Sequence, residues 1–379
     1  IQDHVQLSRE AQRDVLRLDV IWEAATVYLN VLRAGKFEQI QRENLRLTRA
    51  NLERARVRRV IGVASFAEEF RWETGIARGR SASIRANSQR NVAEIALNRV
   101  RHRPLEESFS IVEVGLDDPS LLTGDARFFD YFADRASFRV FRNFMSREAV
   151  AASPELQGLT AAIEARRRVY SSASNSFWAP TVALQAGLAG RLAEGGAGTT
   201  FSPQLPPGTP DLSGLFPQAN GLNLSLGLNV SLPIFLGGSR FLERNQRFEE
   251  VAQLEAQQAS VSERIEQRVR AALHVAGSSY ASIGLAREGA EAARNNLELV
   301  SDAYSQGLVS IIDLIDAQNA ALVTDLDAAT AVYDFLVDWV EVERAVGRSS
   351  LFMTAEGRND FFDRLEAFVA VGGGDAAQR

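Results

Sequence analysis

The sequence predicts a mainly α-helical chain: two copies of one long helical hairpin, with a single β-hairpin between them. Three observations carry that reading. An internal repeat links Asn44-Leu45-Arg46-Leu47 to Asn296-Leu297-Glu298-Leu299, and Tyr28 to Tyr280, at an offset of 252 residues. Apolar residues recur at steps of three, four or seven over stretches longer than most globular helices. Between the copies the period drops to two, the mark of strands.

The first copy opens on the apolar series Leu16, Val20, Ala24, Val27 and Val31, turns at Gly62 and returns as a helix over about 65–100. The second repeats the rhythm in Leu254, Val261, Ile265, Val269, Ala272, Ala276, Tyr280 and Ile283. Its proline-free stretch from Arg240 to Tyr304 would reach roughly 95 Å as one helix. It turns at Gly307 and returns over about 310–346. At the turns, Gly62-Val63-Ala64-Ser65 resembles Gly307-Leu308-Val309-Ser310 at an offset of 245, so the first copy carries seven extra residues. Seven residues are two helical turns, an insertion that keeps a coiled-coil seam in phase. Many seam positions are Ala, which permits close helix packing.

Two strands are predicted between the copies, Pro180–Leu192 and Leu222–Ile234. In the first, Val182, Leu184, Ala186, Leu188 and Leu192 share a face, opposite Thr181, Gln185, Gly187 and Arg191. In the second, Leu222, Leu224, Leu226, Leu228, Val230, Leu232 and Ile234 face one way, and Asn223, Ser225, Gly227, Asn229 and Ser231 the other. The connection Ala193–Gly221, with its Pro206-Pro207-Gly208 turn, reads as a long exposed loop. Each strand is long enough to cross a bilayer at a tilt. A half-buried hairpin in a soluble sandwich has the same alternation. Against it, no other strand pattern in the chain is strong enough to complete a soluble sheet, and the polar face is small and uncharged. A lone hairpin in lipid leaves its edges unpaired, so spanning requires a ring of subunits.

Composition narrows the function. The chain has 379 residues, a net charge of −6 and no Cys, and all of its 42 basic residues are Arg except Lys36. No apolar run reaches the roughly 18 residues of a membrane-spanning helix. The acidic balance argues against nucleic-acid binding, and the absence of Cys excludes thiol chemistry and thiolate metal sites. His4, His102 and His274 are isolated, and no nucleophile elbow, phosphate loop or zinc-protease pattern occurs. Gly195-Gly196-Ala197-Gly198 reads as a flexible loop, and Trp22, Trp72, Trp178 and Trp339 as packing or interface anchors. Neither an enzyme nor a resident cofactor or metal is expected.

Three motifs in order point further. They are Phe177-Trp178-Ala179-Pro180-Thr181-Val182 opening the first strand, Leu232-Pro233-Ile234-Phe235-Leu236-Gly237-Gly238 before the long helix, and Tyr304-x-x-Gly307-x-x-Ser310 followed by Asp313-Leu314-Ile315-Asp316-Ala317-Gln318-Asn319. Over nearly its whole length the chain resembles the TolC-like outer-membrane efflux proteins. The resemblance implies a homotrimer: an α-helical periplasmic tunnel continued by a twelve-stranded outer-membrane β-barrel. It implies a passive exit duct of a tripartite efflux or type I secretion system, working with a periplasmic adaptor and an inner-membrane transporter. By the 252-residue offset Ile1 corresponds to Gln253, so the first-copy strands are expected before Ile1. The expected organisation is 1–104, first helical hairpin; 105–152, a periplasmic insertion or equatorial region beside the tube; 153–179, a helix leading to the strands; 180–236, the outer-membrane hairpin and its loop; 237–347, second helical hairpin; 348–379, a C-terminal equatorial tail. A soluble, elongated coiled-coil scaffold is the alternative.

The resemblance also implies site residues. Asp313 and Asp316 match two rings of inward aspartates that constrict the tunnel, where crowded like charges would raise their apparent pKa values. The same spacing suits a solvated helix face with Asp complementing the helix dipole. Tyr304 matches a gate tyrosine that hydrogen-bonds an acidic residue of the neighbouring hairpin, here Glu68. A basic gate residue of the family is replaced by Val309. The turns Gly62, Val63, Ser65 and Gly307, Leu308, Ser310 match adaptor-docking tips. Leu222, Leu224, Leu226, Leu228, Val230 and Leu232 are expected to face lipid.

Overall fold

The computed structural model describes residues 2–62, 64–118, 121–178, 180–190, 222–232, 237–349 and 353–371. Helices dominate: α1 (Gln2–Val60), α2 (Phe66–Val100), α3 (Ala126–Asp130), α4 (Arg135–Ala152), α5 (Pro154–Asn175), α6 (Ser239–Ser305), α7 (Ile311–Val346) and α8 (Ala355–Ala370). The strands are β1 (Thr181–Gly190) and β2 (Leu222–Ser231). The chain divides into two compact units, residues 163–253 and residues 2–162 with 254 onward.

In the larger unit the repeat has its physical counterpart. The two hairpins turn at Gly62 and Gly307, with φ of 79° and 76°, the left-handed region that costs an L side chain strain. After Gly307 the Leu308 amide bonds the Ala303 carbonyl at 2.9 Å and the Gly307 amide bonds the Tyr304 carbonyl at 3.0 Å, a Schellman closure of α6. Helix α1 packs against both α2 and α7. Its approach to α2 depends on Gly79, where a Cβ would stand 3.1 Å from the Leu45 side chain. Glu38 is buried between these helices, and its carboxylate accepts from Asn87 at 2.8 Å and Arg90 at 2.9 Å and pairs with Arg42. Full pairing makes such a buried charge tolerable.

The core lies away from the turns. Phe128, Phe141, Phe144 and Met145 of α3 and α4 pack with Val269, Leu273 and Ala276 of α6, Phe335 and Trp339 of α7, and Phe361, Phe362 and Leu365 of α8. Phe128 meets Trp339 edge-on at 4.5 Å, and Phe129 stacks on Tyr280 at 4.9 Å. Within 105–152, α3 and α4 supply the aromatic centre of this core. Within 348–379, α8 buries three apolar side chains. Trp72 and Trp339 are buried, Trp22 lies under the Arg344 guanidinium, and Trp178 is 88% exposed.

The smaller unit holds the hairpin. β1 and β2 are antiparallel, with Val182 opposite Val230, Leu184 opposite Leu228, Ala186 opposite Leu226 and Leu188 opposite Leu224. Residues directly opposite share a face, so the apolar sets of both strands fall on one side. Thr181 with Ser231, Gln185 with Gly227 and Gly187 with Ser225 fall on the other. The second strand ends at Ser231, so Leu232 follows it rather than belonging to it. Leu192, Ile234 and the loop Ala193–Gly221 lie outside the described residues. No helix of the described residues is long and apolar enough to cross a membrane.

Candidate functional site

The candidate site is the tip where the two helical turns meet. Tyr304, in the last turn of α6, is 4% exposed and packs with Leu52 and Ala55 of α1, Trp72 of α2 and Leu314 of α7. Its hydroxyl donates to the Glu68 carboxylate, joining the end of α6 to the start of α2 within one chain. A buried hydroxyl needs such a partner, and a charged acceptor makes the bond stronger.

Arg58 completes the arrangement, and sequence reasoning did not single it out. From the last turn of α1 its guanidinium lies over the Tyr304 ring, 4.4 Å from the centroid. It donates to the Tyr304 carbonyl and, at 3.3 Å, to that of Ser305. A cation at those carbonyls complements the negative end of the α6 dipole. So although Val309 supplies no basic group on α7's side of the turn, α1 brings one to the same tyrosine. The only sequence signal was the pair Arg58-Arg59 at a helix end. Beside it, Glu69 accepts from Arg56 at 2.9 Å and pairs with Arg59 at 3.0 Å.

Asp313 and Asp316 are both exposed on the first turns of α7, flanking buried Leu314. Asp313 has a local task as well. Its Oδ2 accepts from the Ser310 amide at 2.9 Å and the Ser310 hydroxyl at 2.7 Å, while that hydroxyl accepts from the Asp313 amide at 3.4 Å. This is a capping box. Within one chain the Ser310 hydroxyl and amide stabilise the charged form and hold Asp313 below the ordinary aspartate value. Neighbouring aspartates would push the other way, but a cap acts through direct hydrogen bonds.

Gln318 of the same motif is buried on α7 and bonds three residues of α1. It accepts from Asn51 at 3.1 Å and donates to Asn44 and Thr48 at 2.7 Å each. A satisfied polar cluster inside an apolar seam fixes the register of the two helices. Gly62, Ser65, Gly307, Leu308 and Ser310 are exposed at the turns, and Val63 lies outside the described residues. Leu224, Leu226, Leu228 and Val230 are exposed on the hairpin, and Leu222 opens β2. Among the described residues no cluster of His, Cys, Asp or Glu could hold a metal ion.

A sequence model of the family described as outer membrane efflux protein matches residues 145–348, more than half of the chain. The outer membrane efflux protein BepC of Brucella suis biovar 1 (strain 1330) is 23% identical over 351 residues, covering 91% of this chain and 67% of BepC. The outer membrane protein TolC of Escherichia coli (strain K12) is 26% identical over 122 residues, 32% of this chain and 25% of TolC. The chain thus spans two thirds of the length of one relative and matches a quarter of the other. Among solved structures, the outer-membrane channel OprN superposes with a TM-score of 0.67 at 16% identity, over 92% of this chain and 70% of OprN. That likeness establishes the fold.

Proposed function

The chain belongs to the outer membrane efflux protein family, and on that premise we propose that it is the exit duct of a tripartite efflux or type I secretion system. The observation that carries the reading is the strand register. Two separately alternating segments pair so that Val182, Leu184, Ala186 and Leu188 share a face with Val230, Leu228, Leu226 and Leu224. Ten-residue strands with one apolar and one small polar face suit a lipid-facing barrel with a water-filled lumen. A hairpin with open edges spans lipid only when other strands pair with it, which favours a closed ring of three copies. The duct carries no energy source of its own. An inner-membrane transporter drives cargo through it, and a periplasmic adaptor docks on the turns at Gly62, Ser65, Gly307, Leu308 and Ser310.

In this reading the helical tip is the gate. The Tyr304–Glu68 bond and the Arg58 contact hold it closed, and Asp313 and Asp316 ring the constriction, attracting cations. Planar-bilayer recording on the full-length protein tests both parts. Wild type is expected to conduct, to prefer cations and to be blocked by multivalent cations. Asp313→Asn/Asp316→Asn is expected to lose most of the block and selectivity while still assembling. An unaltered block would remove the aspartates from the constriction, and a protein that never conducts would overturn the duct itself.

A further inference from the structure

Beside the tip a groove of about 800 Å³ is lined by α2 and α7, with residues of α1 between them. Gly75 and Gly79 let α2 settle on α1, where an added Cβ would stand 3.3 Å from the Thr48 side chain and 3.1 Å from that of Leu45. Having no side chains, they leave the groove unfilled. Its walls are of two kinds. Phe70 of α2 and Ile312 of α7 are exposed apolar surface, and Ile315 and Leu322 continue it. Arg71, Arg78 and Arg85 recur at every seventh residue, on one face of α2, and line the same groove.

The charge is of one sign. No carboxylate lines the groove, Asp313 and Asp316 included, although the chain carries a net charge of −6. The acids of this stretch of α2 are engaged elsewhere: Glu69 and Glu73 pair with Arg56 of α1. Among the described residues Arg71 and Arg78 have neither an ion pair nor a hydrogen bond, and Arg85 donates only to the Ser81 hydroxyl, at 3.3 Å. Trp72, which also lines the groove and is 2% exposed, has a buried indole N–H without an acceptor among the described residues. A buried donor left unpaired carries a free-energy cost that an incoming acceptor can relieve. Unpartnered donors, uncovered apolar surface and a volume within the range of small-molecule sites together specify the occupant: a compact apolar body bearing an acid.

We propose that this groove binds a small anionic amphiphile, an aromatic sulfonate or carboxylate, with its rings against Phe70, Ile312 and Ile315 and its acid group between Arg71 and Arg78. Seven residues separate the two arginines by about 10 Å of rise, and two long side chains held by nothing else can close on one anion from either end. Guanidinium and acid then form charge-assisted hydrogen bonds. Such a ligand touches α2 and α7 at once and bridges the two helical hairpins. The site stands apart from conduction, because binding is read at equilibrium; its failure leaves the duct standing.

The probe is 8-anilinonaphthalene-1-sulfonate, titrated calorimetrically into the full-length protein in nanodiscs of zwitterionic lipid, with empty nanodiscs as the blank. Saturable binding above the blank is expected. Arg71→Gln/Arg78→Gln should raise the Kd about tenfold or more. Arg80→Gln, on α2 but outside the groove, should leave it unchanged. 1-Naphthylmethylammonium, which keeps the naphthalene rings and reverses the charge, should not bind; this arm needs no variant and holds even where a substitution harms folding. Three results each overturn the site: no saturable binding above the blank, an unchanged Kd in Arg71→Gln/Arg78→Gln, or equal binding of the cationic probe, which would make the groove a merely apolar surface.

Discussion

Ser310 and Asp313 show one residue serving two ends. The serine caps α7, and its bonds to the Asp313 carboxylate hold that group in its charged form. A folded-state pKa below the unfolded value means that the unfolded chain binds more protons in the interval between them. The contribution to stability is therefore present above the unfolded value and lost as pH falls through the depressed one. Ser310→Ala removes the cap and should cost about 1 kcal/mol in thermal or denaturant unfolding. It should also move the pH at which multivalent-cation block weakens upward in bilayer recordings, because Asp313 is then protonated more readily. A block that weakens at the same pH in the variant would mean that Asp313 takes no part in it. Tyr304→Phe makes the complementary case: the ring stays packed against Trp72 and Leu314, but the bond to Glu68 is gone. Single-channel conductance should rise with selectivity little changed. At this scale the Tyr304, Glu68, Asp313 and Asp316 positions were legible as motif residues, while Arg58 was not. Its partners are backbone carbonyls of a helix far along the chain, and carbonyls leave no mark in a sequence.

Among the elements, the β-hairpin is the one whose sequence pattern and pairing can be checked against each other. Alternation alone leaves each strand free to pair in either parity, and a slip by one residue would set Leu228 opposite a polar position. The observed register, with Leu228 opposite Leu184, joins the two apolar faces. If that face meets lipid, Leu228→Arg near the bilayer midplane should cost about 2 to 4 kcal/mol, and Asn229→Arg clearly less. Cysteine at 226 or 228 should react with a lipid-phase probe, and cysteine at 227 or 229 with an aqueous one. The opposite labelling would invert the faces. Helix α4 was the least legible element. It lies in the segment expected as an insertion, and only the folded chain reveals that Phe141 and Phe144 meet α7 and α8 there.

At the scale of the whole molecule, closure is the governing constraint. An isolated β-hairpin leaves backbone groups unpaired at both edges, and lipid has no water to satisfy them. The full-length protein in detergent should therefore appear in native mass spectrometry as a trimer; a monomer or dimer that conducts would break the closed-ring argument. The repeat offsets, the Gly62 and Gly307 turns, the long helix of 67 residues and the strand alternation were determined by the sequence alone. Local rules suffice for these: periodicity selects helix or strand, and a left-handed turn selects glycine. Tertiary structure alone decided three things. It made residues 105–152 the aromatic centre of the core, it brought Arg58 to Tyr304, and it aligned Gln318 with Asn44, Thr48 and Asn51. Each of these joins residues more than a hundred positions apart or sets aromatic faces against several helices at once. Such contacts depend on which helices become neighbours, and that is chosen by the packing of the whole core rather than by any local pattern.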